Sequence, residues 1–249
     1  MVRGSGIDEA HHASPPFQDD PVETRDTMAH LLSITSWDRS ELESFFPLAE
    51  ASVQALASPT PPSSRLAGRW IANLFFEDST RTRLSFETAA GSLGMRVSNW
   101  TAGGSSVSKG ETLPDTIRNV DAMGPAAIVL RHPQSGAPQI AARHSRAAII
   151  NAGDGTHEHP SQALLDAFTL WKRWGGFEGR TVAIVGDVLH SRVARSNLHV
   201  LKTLGAKVVM VAPPSLMPAG IASLGARVSH SLDDMLPELD AVMMLRLQV

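Results

Sequence analysis

The sequence contains no cysteine, which excludes disulfides, thiolate metal sites and cysteine nucleophiles together. No apolar run approaches the roughly 18 residues expected of a membrane helix, and the first residues lack the apolar core of a secretory signal. Positive charge is not in excess: 22 Lys and Arg stand against 25 Asp and Glu, for a formal net charge of −3. Nonspecific binding to nucleic acid rests on basic surface, so an anionic ligand must be held here by a local basic cluster. These absences leave a cytoplasmic protein as the default, with neither nucleic acid nor membrane as a partner. What is present is ordinary for a globular chain: 43% of the 249 residues are hydrophobic and 19% charged. That is enough for one large domain or two of ordinary size.

Residues 1–30 read as a disordered tail. Gly4, Gly6, Ser14-Pro15-Pro16 and the acidic residues from Asp8 to Asp26 carry almost no apolar periodicity, and such a segment cannot bury enough surface to offset its ordering entropy. From Leu31 a pattern begins. Residues 36–56 predict a helix with Leu42, Phe45, Phe46, Ala49, Val53 and Leu56 on one stripe, ended by a Pro/Ser-rich turn over 58–64. Strands are expected at 70–76, 97–100, 127–130 and 147–151, with helices at 79–93, 114–123 and 139–145 between and after them. Gly94 suits a left-handed helix cap. The helix 161–174 reads as a bridge to a second alternating series: strand 181–186, helix 193–204, strand 207–211, a further short helix and strand, and strand 241–246. The alternation predicts an α/β fold of two consecutive open, mainly parallel sheets. No internal sequence repeat is found. Ligands of such sheets bind outside the carboxyl ends of the strands, and the polar clusters sit there.

The strongest of these clusters is Phe75-Phe76-Glu77-Asp78-Ser79-Thr80-Arg81-Thr82-Arg83. A strand ends, a helix begins, and its first turn offers unpaired N–H groups beside three hydroxyls and two arginines, a ready anion site. The competing reading is a capped helix whose arginines pair with Glu77 and Asp78. His159 before Pro160 could be a helix cap or core residue, and Asp154, His157, Glu158 and His159 raise the thought of a metal site. Two histidines at i, i+2 rarely converge without a further ligand, however. Gly186-Asp187 follows a strand without GxGxxG, which argues against a dinucleotide loop.

The string Ser79-Thr80-Arg81-Thr82-Arg83 resembles the phosphate-binding motif of the carbamoyltransferases. Four more motifs follow in that family's order: Lys109-Gly110-Glu111-Thr112, Arg131-His132-Pro133-Gln134, His159-Pro160-Ser161-Gln162, and Gly186-Asp187 with Ser191-Arg192. The resemblance runs from Leu31 to the last residues. It implies a carbamoyl phosphate-binding domain over 31–160 and an aspartate-binding domain over 161–249. It further implies that Ser79, Thr80, Arg81 and Thr82 hold the phosphate of carbamoyl phosphate, that Arg131 contacts phosphate and carbonyl oxygen, that His159 donates to that oxygen, and that Gln162 binds the carbamoyl NH₂. Thr82, Arg131 and His159 would form the oxyanion site for attack by an amine. Neither a cofactor nor a metal is called for. In the family the Gly/Ser-rich loop 101–110 enters a neighbouring subunit's site, so Ser105 and Lys109 are expected to complete a shared site in a homotrimer.

The resemblance is stronger to the aspartate branch than to the ornithine branch. Aspartate brings two carboxylates and needs extra fixed positive charge. Lys109, Arg192 and Arg246-Leu247-Gln248 match that branch. Arg192 with Arg131 would hold the α-carboxylate; Arg246, Gln248 and Lys109 would take the side-chain carboxylate. The expected function is transfer of the carbamoyl group to L-aspartate in de novo pyrimidine biosynthesis, with a regulatory chain or a dihydroorotase as possible partners. Apart from the resemblance, Arg246 reads as a surface arginine, and a noncatalytic scaffold or a phosphate-binding protein stands as the alternative class. Family members continue beyond the position of Val249. The second domain is therefore expected to be truncated, with an exposed central strand ending at Leu247 and with poor stability and activity for the 249-residue chain.

Overall fold

A computed structural model describes residues 30–57, 66–101 and 110–246. Helix α1, Arg39–Ala57, begins with a reciprocal cap, in which Asp38 accepts from the Glu41 N–H at 2.9 Å and Glu41 from the Asp38 N–H at 2.8 Å. The first sheet then forms from β1 (Trp70–Phe75), β2 (Arg96–Thr101), β3 (Ala127–His132) and β4 (Ala148–Asp154), with α2 (Thr80–Ser92), α3 (Leu113–Ala122) and α4 (Ala137–Arg143) between them. Helix α5, Pro160–Trp174, leads to the second sheet of β5 (Thr181–Val185), β6 (Lys207–Val211), β7 (Arg227–Ser229) and β8 (Ala241–Met244), with α6 (Arg192–Thr203) after β5. Short 3₁₀ turns at Pro214–Leu216, Ile221–Leu224 and Leu236–Glu238 stand where a further helix was expected.

Every strand pair is parallel, in the orders β2-β1-β3-β4 and β7-β6-β5-β8. Parallel strands are covered on both faces and therefore read as continuous apolar runs. In the first sheet Ala72, Leu74, Ile128 and Leu130 pack with Ile117, Val120 and Ala141 of α3 and α4. Ile71, Phe75 and Val129 pack on the other face with Ala90 of α2. Leu31 adds a bridge beyond β4, its N–H on Ile149 O at 2.9 Å and its carbonyl accepting from Asn151 N at 2.8 Å. A larger core joins the halves: Ile34, Leu42 and Phe46 share it with Leu164 and Phe168 of α5, Leu198 and Leu201 of α6, and Val182 and Ile184 of β5.

One expectation needs correction. The stripe of α1 does not hold to its end. Leu42 and Phe46 are fully buried, but Val53 and Leu56 are 43% and 54% exposed, because the core contacts of α1 come from its first half. Strand β8 pairs with β5 alone and forms an edge of the described sheet, in line with the exposed strand expected there. Its outward residues Val242 and Met244 are exposed. Among the described residues no helix is long and apolar enough to cross a membrane.

Candidate active site

The carboxyl ends of β1, β3 and β4 meet the loop that follows β5. Register places Phe75 of β1 beside Arg131 of β3, and the next N–H, of Phe76, donates to Arg131 O at 2.9 Å. Four residues past Phe75, Ser79 is extended and Thr80 starts α2. The first intrahelical bond runs from Arg83 N–H to Ser79 O at 3.2 Å, so the amides ahead of it have no helical acceptor. Ser79 makes no side-chain cap bond, and its hydroxyl is not committed to the helix. Arg81 and Thr80 are exposed, Ser79 and Thr82 half-buried.

Glu77 does not pair with Arg81 or Arg83. Its Oε2 lies 2.7 Å from Nη2 of Arg192 and 3.5 Å from Nε of Arg131, joining the end of β1 to the end of β3 and the first turn of α6. The end of β3 and the starts of α5 and α6 converge on Gly153, near the end of β4. A Cβ built there would meet Nη1 of Arg131 at 3.1 Å, Nη1 of Arg192 at 3.2 Å and Cδ2 of His159 at 3.2 Å. Gly153 also has φ +111°, a region closed to most side chains. The residue is therefore glycine for two reasons, backbone conformation and the approach of three side chains.

The two guanidiniums crowd one another. Burial, and then the neighbouring charge of Arg192, lowers the pKa of Arg131, with Glu77 opposing. Arg131 Nη1 donates to Ala152 O at 3.2 Å, but its Nε and Nη1 of Arg192 are buried without a hydrogen-bond partner. Buried donors of this kind are normally satisfied, and two beside one carboxylate mark a place prepared for further negative charge. His159, the N-cap of α5, lies buried alongside. Burial, followed by the charges of Arg131 and Arg192, pushes its pKa down to about 3. It is thus a neutral imidazole at neutral pH and a hydrogen-bond donor there, not a proton reservoir. Ser196 Oγ of α6 accepts from the His159 N–H at 2.9 Å and fixes that helix start. Ser161 Oγ lies 3.3 Å from Nδ1, occupying the nitrogen turned away from Cδ2.

The residues weighed as metal ligands have other partners. Asp154 accepts from Gly136 N at 2.7 Å and Asn151 Nδ2 at 2.9 Å, with His157 Nδ1 3.1 Å away. Glu158 accepts from Ile34 N and Ser33 Oγ, both at 2.6 Å. These buried carboxylates tie the turn 154–159 to α4 and to the segment before α1. No group of His, Asp and Glu suited to a metal ion occurs among the described residues.

A cleft of about 330 Å³ opens between Glu77, Pro133, Ser135, Gly155, Thr156, His190 and Arg192. A larger hollow of about 540 Å³, between Arg39, Trp171, Trp174 and Glu178, contains none of the motif residues. Of the expected site residues, the structure gathers Arg131, His159 and Arg192 around Gly153 and sets Gln162 one turn into α5. Ser79, Thr80, Arg81 and Thr82 open α2 at the adjoining strand end. Arg246 is exposed just past β8, where Leu245 N donates to Val185 O at 2.7 Å; it makes no ion pair among the described residues. Ser105, Lys109 and Gln248 lie outside the described residues. The pairing of Glu77 with two distant arginines and the role of Gly153 escape sequence reasoning; Asn151-Ala152-Gly153-Asp154-Gly155 at a strand end was the available signal.

Two parallel α/β sheets whose strand ends bring Arg131, Arg192 and His159 together define the class: an open α/β protein with a basic cluster between two sheets. Residues 29–172 match the model of the aspartate/ornithine carbamoyltransferase carbamoyl-P binding domain. The aspartate carbamoyltransferase catalytic subunit of Myxococcus xanthus is 63% identical over 224 residues, 89% of this chain and 74% of that protein. Its counterpart in Gluconacetobacter diazotrophicus is 52% identical, over 88% of this chain and 68% of that one. Aspartate transcarbamoylase of Trypanosoma cruzi, solved with aspartate and phosphate, superposes with a TM-score of 0.82 at 35% identity, over 89% of this chain and 76% of that one. The catalytic subunit of the M. jannaschii enzyme gives 0.79 at 37% identity, over 88% and 74%. The chain belongs to the aspartate/ornithine carbamoyltransferase family, among the aspartate carbamoyltransferase catalytic subunits.

Proposed function

We propose that the protein transfers the carbamoyl group of carbamoyl phosphate to the amine of L-aspartate, giving N-carbamoyl-L-aspartate and phosphate, at the cluster around Gly153. One observation carries this reading: Arg131, Arg192 and neutral His159 converge on a glycine, with buried cationic donors lacking partners. T. cruzi aspartate transcarbamoylase has been solved with carbamoyl phosphate and aspartate together, the two substrates this cluster would hold.

The phosphate dianion sits at the start of α2, on the amides of the first turn, Ser79, Thr80 and Thr82, and the Arg81 guanidinium. Arg131 spans phosphate and carbonyl oxygen. His159, uncharged, donates to the same oxygen, and Gln162 takes the carbamoyl NH₂. Arg192 and Arg131 hold the α-carboxylate of aspartate, and Arg246, with Lys109 and Gln248, the side-chain carboxylate. Glu77 keeps the two arginines apart and offsets part of their charge until the substrates arrive. The amine nitrogen attacks the carbonyl carbon, and negative charge gathers on the oxygen facing Thr82, Arg131 and His159. The C–O bond to phosphate then breaks, and the leaving phosphate takes the amine proton. Catalysis is therefore mainly orientation and fixed charge.

Residues 31–160 serve as the carbamoyl phosphate domain and 161–249 as the aspartate domain. Ser105 and Lys109 act in a neighbouring subunit of a cytoplasmic homotrimer serving pyrimidine synthesis. A regulatory chain or dihydroorotase would be a partner of that trimer. Product analysis after incubation with carbamoyl phosphate and either L-aspartate or L-ornithine tests the reaction. Carbamoyl-aspartate alone is expected; carbamoyl-ornithine would overturn the assignments of Lys109, Arg192 and Arg246. Mixed Lys109→Gln and Arg81→Ala subunits, each inactive alone, are expected to regain activity together. Confirmed mixed trimers without activity would refute the shared site.

A further inference from the structure

Behind the residues assigned to substrate lies a hydrogen-bonded chain of fixed polarity. It starts at a backbone carbonyl: Val193 O accepts from Asn197 Nδ2 at 3.1 Å. A carbonyl can only accept, so the Asn197 amide has one orientation. The same Nδ2 donates to Asp166 Oδ2 at 2.8 Å, and Asp166 Oδ1 accepts from Gln162 Nε2 at 3.0 Å. Asn197 is fully buried in α6, and Asp166 stands one turn after Gln162 on α5. With Nε2 committed to Asp166, Gln162 must present its Oε1, an acceptor, elsewhere.

We propose that Asp166, held by Asn197, is a positioning residue for carbamoyl specificity: it fixes the Gln162 amide with its oxygen toward the NH₂ of carbamoyl phosphate. The inference rests on the proposed role of Gln162. A Gln side chain free to turn would offer either a donor or an acceptor, and would not distinguish NH₂ from CH₃ with certainty of sign. The chain from Val193 removes that choice. Helix α6 thereby supports both carbamoyl-facing groups, His159 through Ser196 and Gln162 through Asn197, while its first residue, Arg192, faces the other substrate.

The test is the preference for carbamoyl phosphate over acetyl phosphate, which differ by NH₂ against CH₃, measured as a ratio of dissociation constants, with inorganic phosphate as a third ligand. Asp166→Asn is nearly isosteric. Because Asn197 still donates, the amide introduced by Asp166→Asn must give it oxygen and turn its own NH₂ to Gln162, inverting the Gln162 amide. The expected result is a fall of about tenfold or more in the preference, with phosphate affinity kept within about twofold. Asp166→Ala, which frees Gln162 without inverting it, should fall between Asp166→Asn and the wild type. Gln162→Leu should lose the preference outright, and adding Asp166→Asn to it should change nothing further. A wild-type ratio in both Asp166 variants, while Gln162→Leu loses it, would overturn the proposal alone. So would equal losses of phosphate and carbamoyl phosphate affinity in both, which is what a merely structural role produces. Retention of the preference by Gln162→Leu would instead overturn the reading of Gln162 on which the proposal stands.

Discussion

Replacing Gly153 by alanine adds one methyl group at the point where the structure allows none. Two costs can be separated. The backbone cost follows from φ +111°: a non-glycine residue there is strained by roughly 1–3 kcal/mol. The second cost is local. The new Cβ would lie 3.1–3.2 Å from Arg131 Nη1, Arg192 Nη1 and His159 Cδ2, so all three side chains must give by a few tenths of an ångström. A misplacement of about 1 Å can cost on the order of 10²-fold in rate, and smaller shifts of three groups at once place the expected loss in kcat/KM at about 10–100-fold. That is roughly 1.4–2.7 kcal/mol of transition-state stabilisation. Gly175→Ala supplies the control. Gly175 has φ +72° but nothing within 4 Å of a built Cβ, and it caps the far end of α5. Both variants should lose a few degrees of melting temperature, at about 2–4 °C per kcal/mol for a chain of this size; only Gly153→Ala should lose activity beyond that. Steady-state kinetics with carbamoyl phosphate and aspartate, together with thermal melts, decide it. Wild-type kcat/KM in folded Gly153→Ala would refute the placement of the reacting groups around this glycine.

Protonation of His159 is expected to be a property of the unfolded chain, because its folded pKa, about 3, lies below the ordinary histidine value. Its contribution to stability is complete above about pH 6.5 and declines as pH falls toward 3, by at most about 1.4 kcal/mol per pH unit. His132 and His199, both shifted down chiefly by burial, act in the same direction. An NMR titration showing the His159 ring charged at pH 6 in folded protein would contradict this. Arg192→Ala should raise KM for aspartate by about 10²-fold while changing carbamoyl phosphate affinity little, since a carboxylate loses a charge-assisted contact; equal losses for both substrates would assign Arg192 elsewhere. Glu158→Gln replaces one of the two oxygens that accept from Ile34 N and Ser33 Oγ and should cost about 1–3 kcal/mol of stability. An unchanged urea midpoint would show that the anchor before α1 does not depend on this carboxylate.

The strand positions were legible because parallel strands bury both faces and stand out as apolar runs, as in Ile71-Ala72-Asn73-Leu74-Phe75 and Val182-Ala183-Ile184. The helices expected at 114–123 and 193–204 fall within a residue of α3 and α6; their caps, Thr112 accepting from Asp115 N and Ser191 accepting from Ala194 N, went unread. Strand order was not legible, because nothing local states that β1 lies between β2 and β3. The end of the α1 stripe was misread for a similar reason: periodicity gives a face, not the neighbour that covers it, and Val53 and Leu56 stay exposed. In the proposed site, residue types and motif order pointed to Arg131, His159 and Arg192 separately. Their convergence on Gly153 and the bridge through Glu77 depend on contacts between separate elements, the Glu77–Arg192 pair lying 115 residues apart. The Gln162–Asp166 half of the supporting chain has i, i+4 spacing and could be read; its Asn197 half, 31 residues on, could not.

Carbamoyl phosphate is proposed to bind at one cluster, around Gly153 and the start of α2. A crystal structure of the protein grown with carbamoyl phosphate tests it most directly. The phosphoryl oxygens should lie on the Thr80–Thr82 amides and Arg81, the carbonyl oxygen within hydrogen-bond distance of Arg131 and His159, and the NH₂ on Gln162 Oε1. A ligand bound instead in the hollow beside Trp171 and Trp174, or with its carbonyl oxygen away from His159, would contradict it.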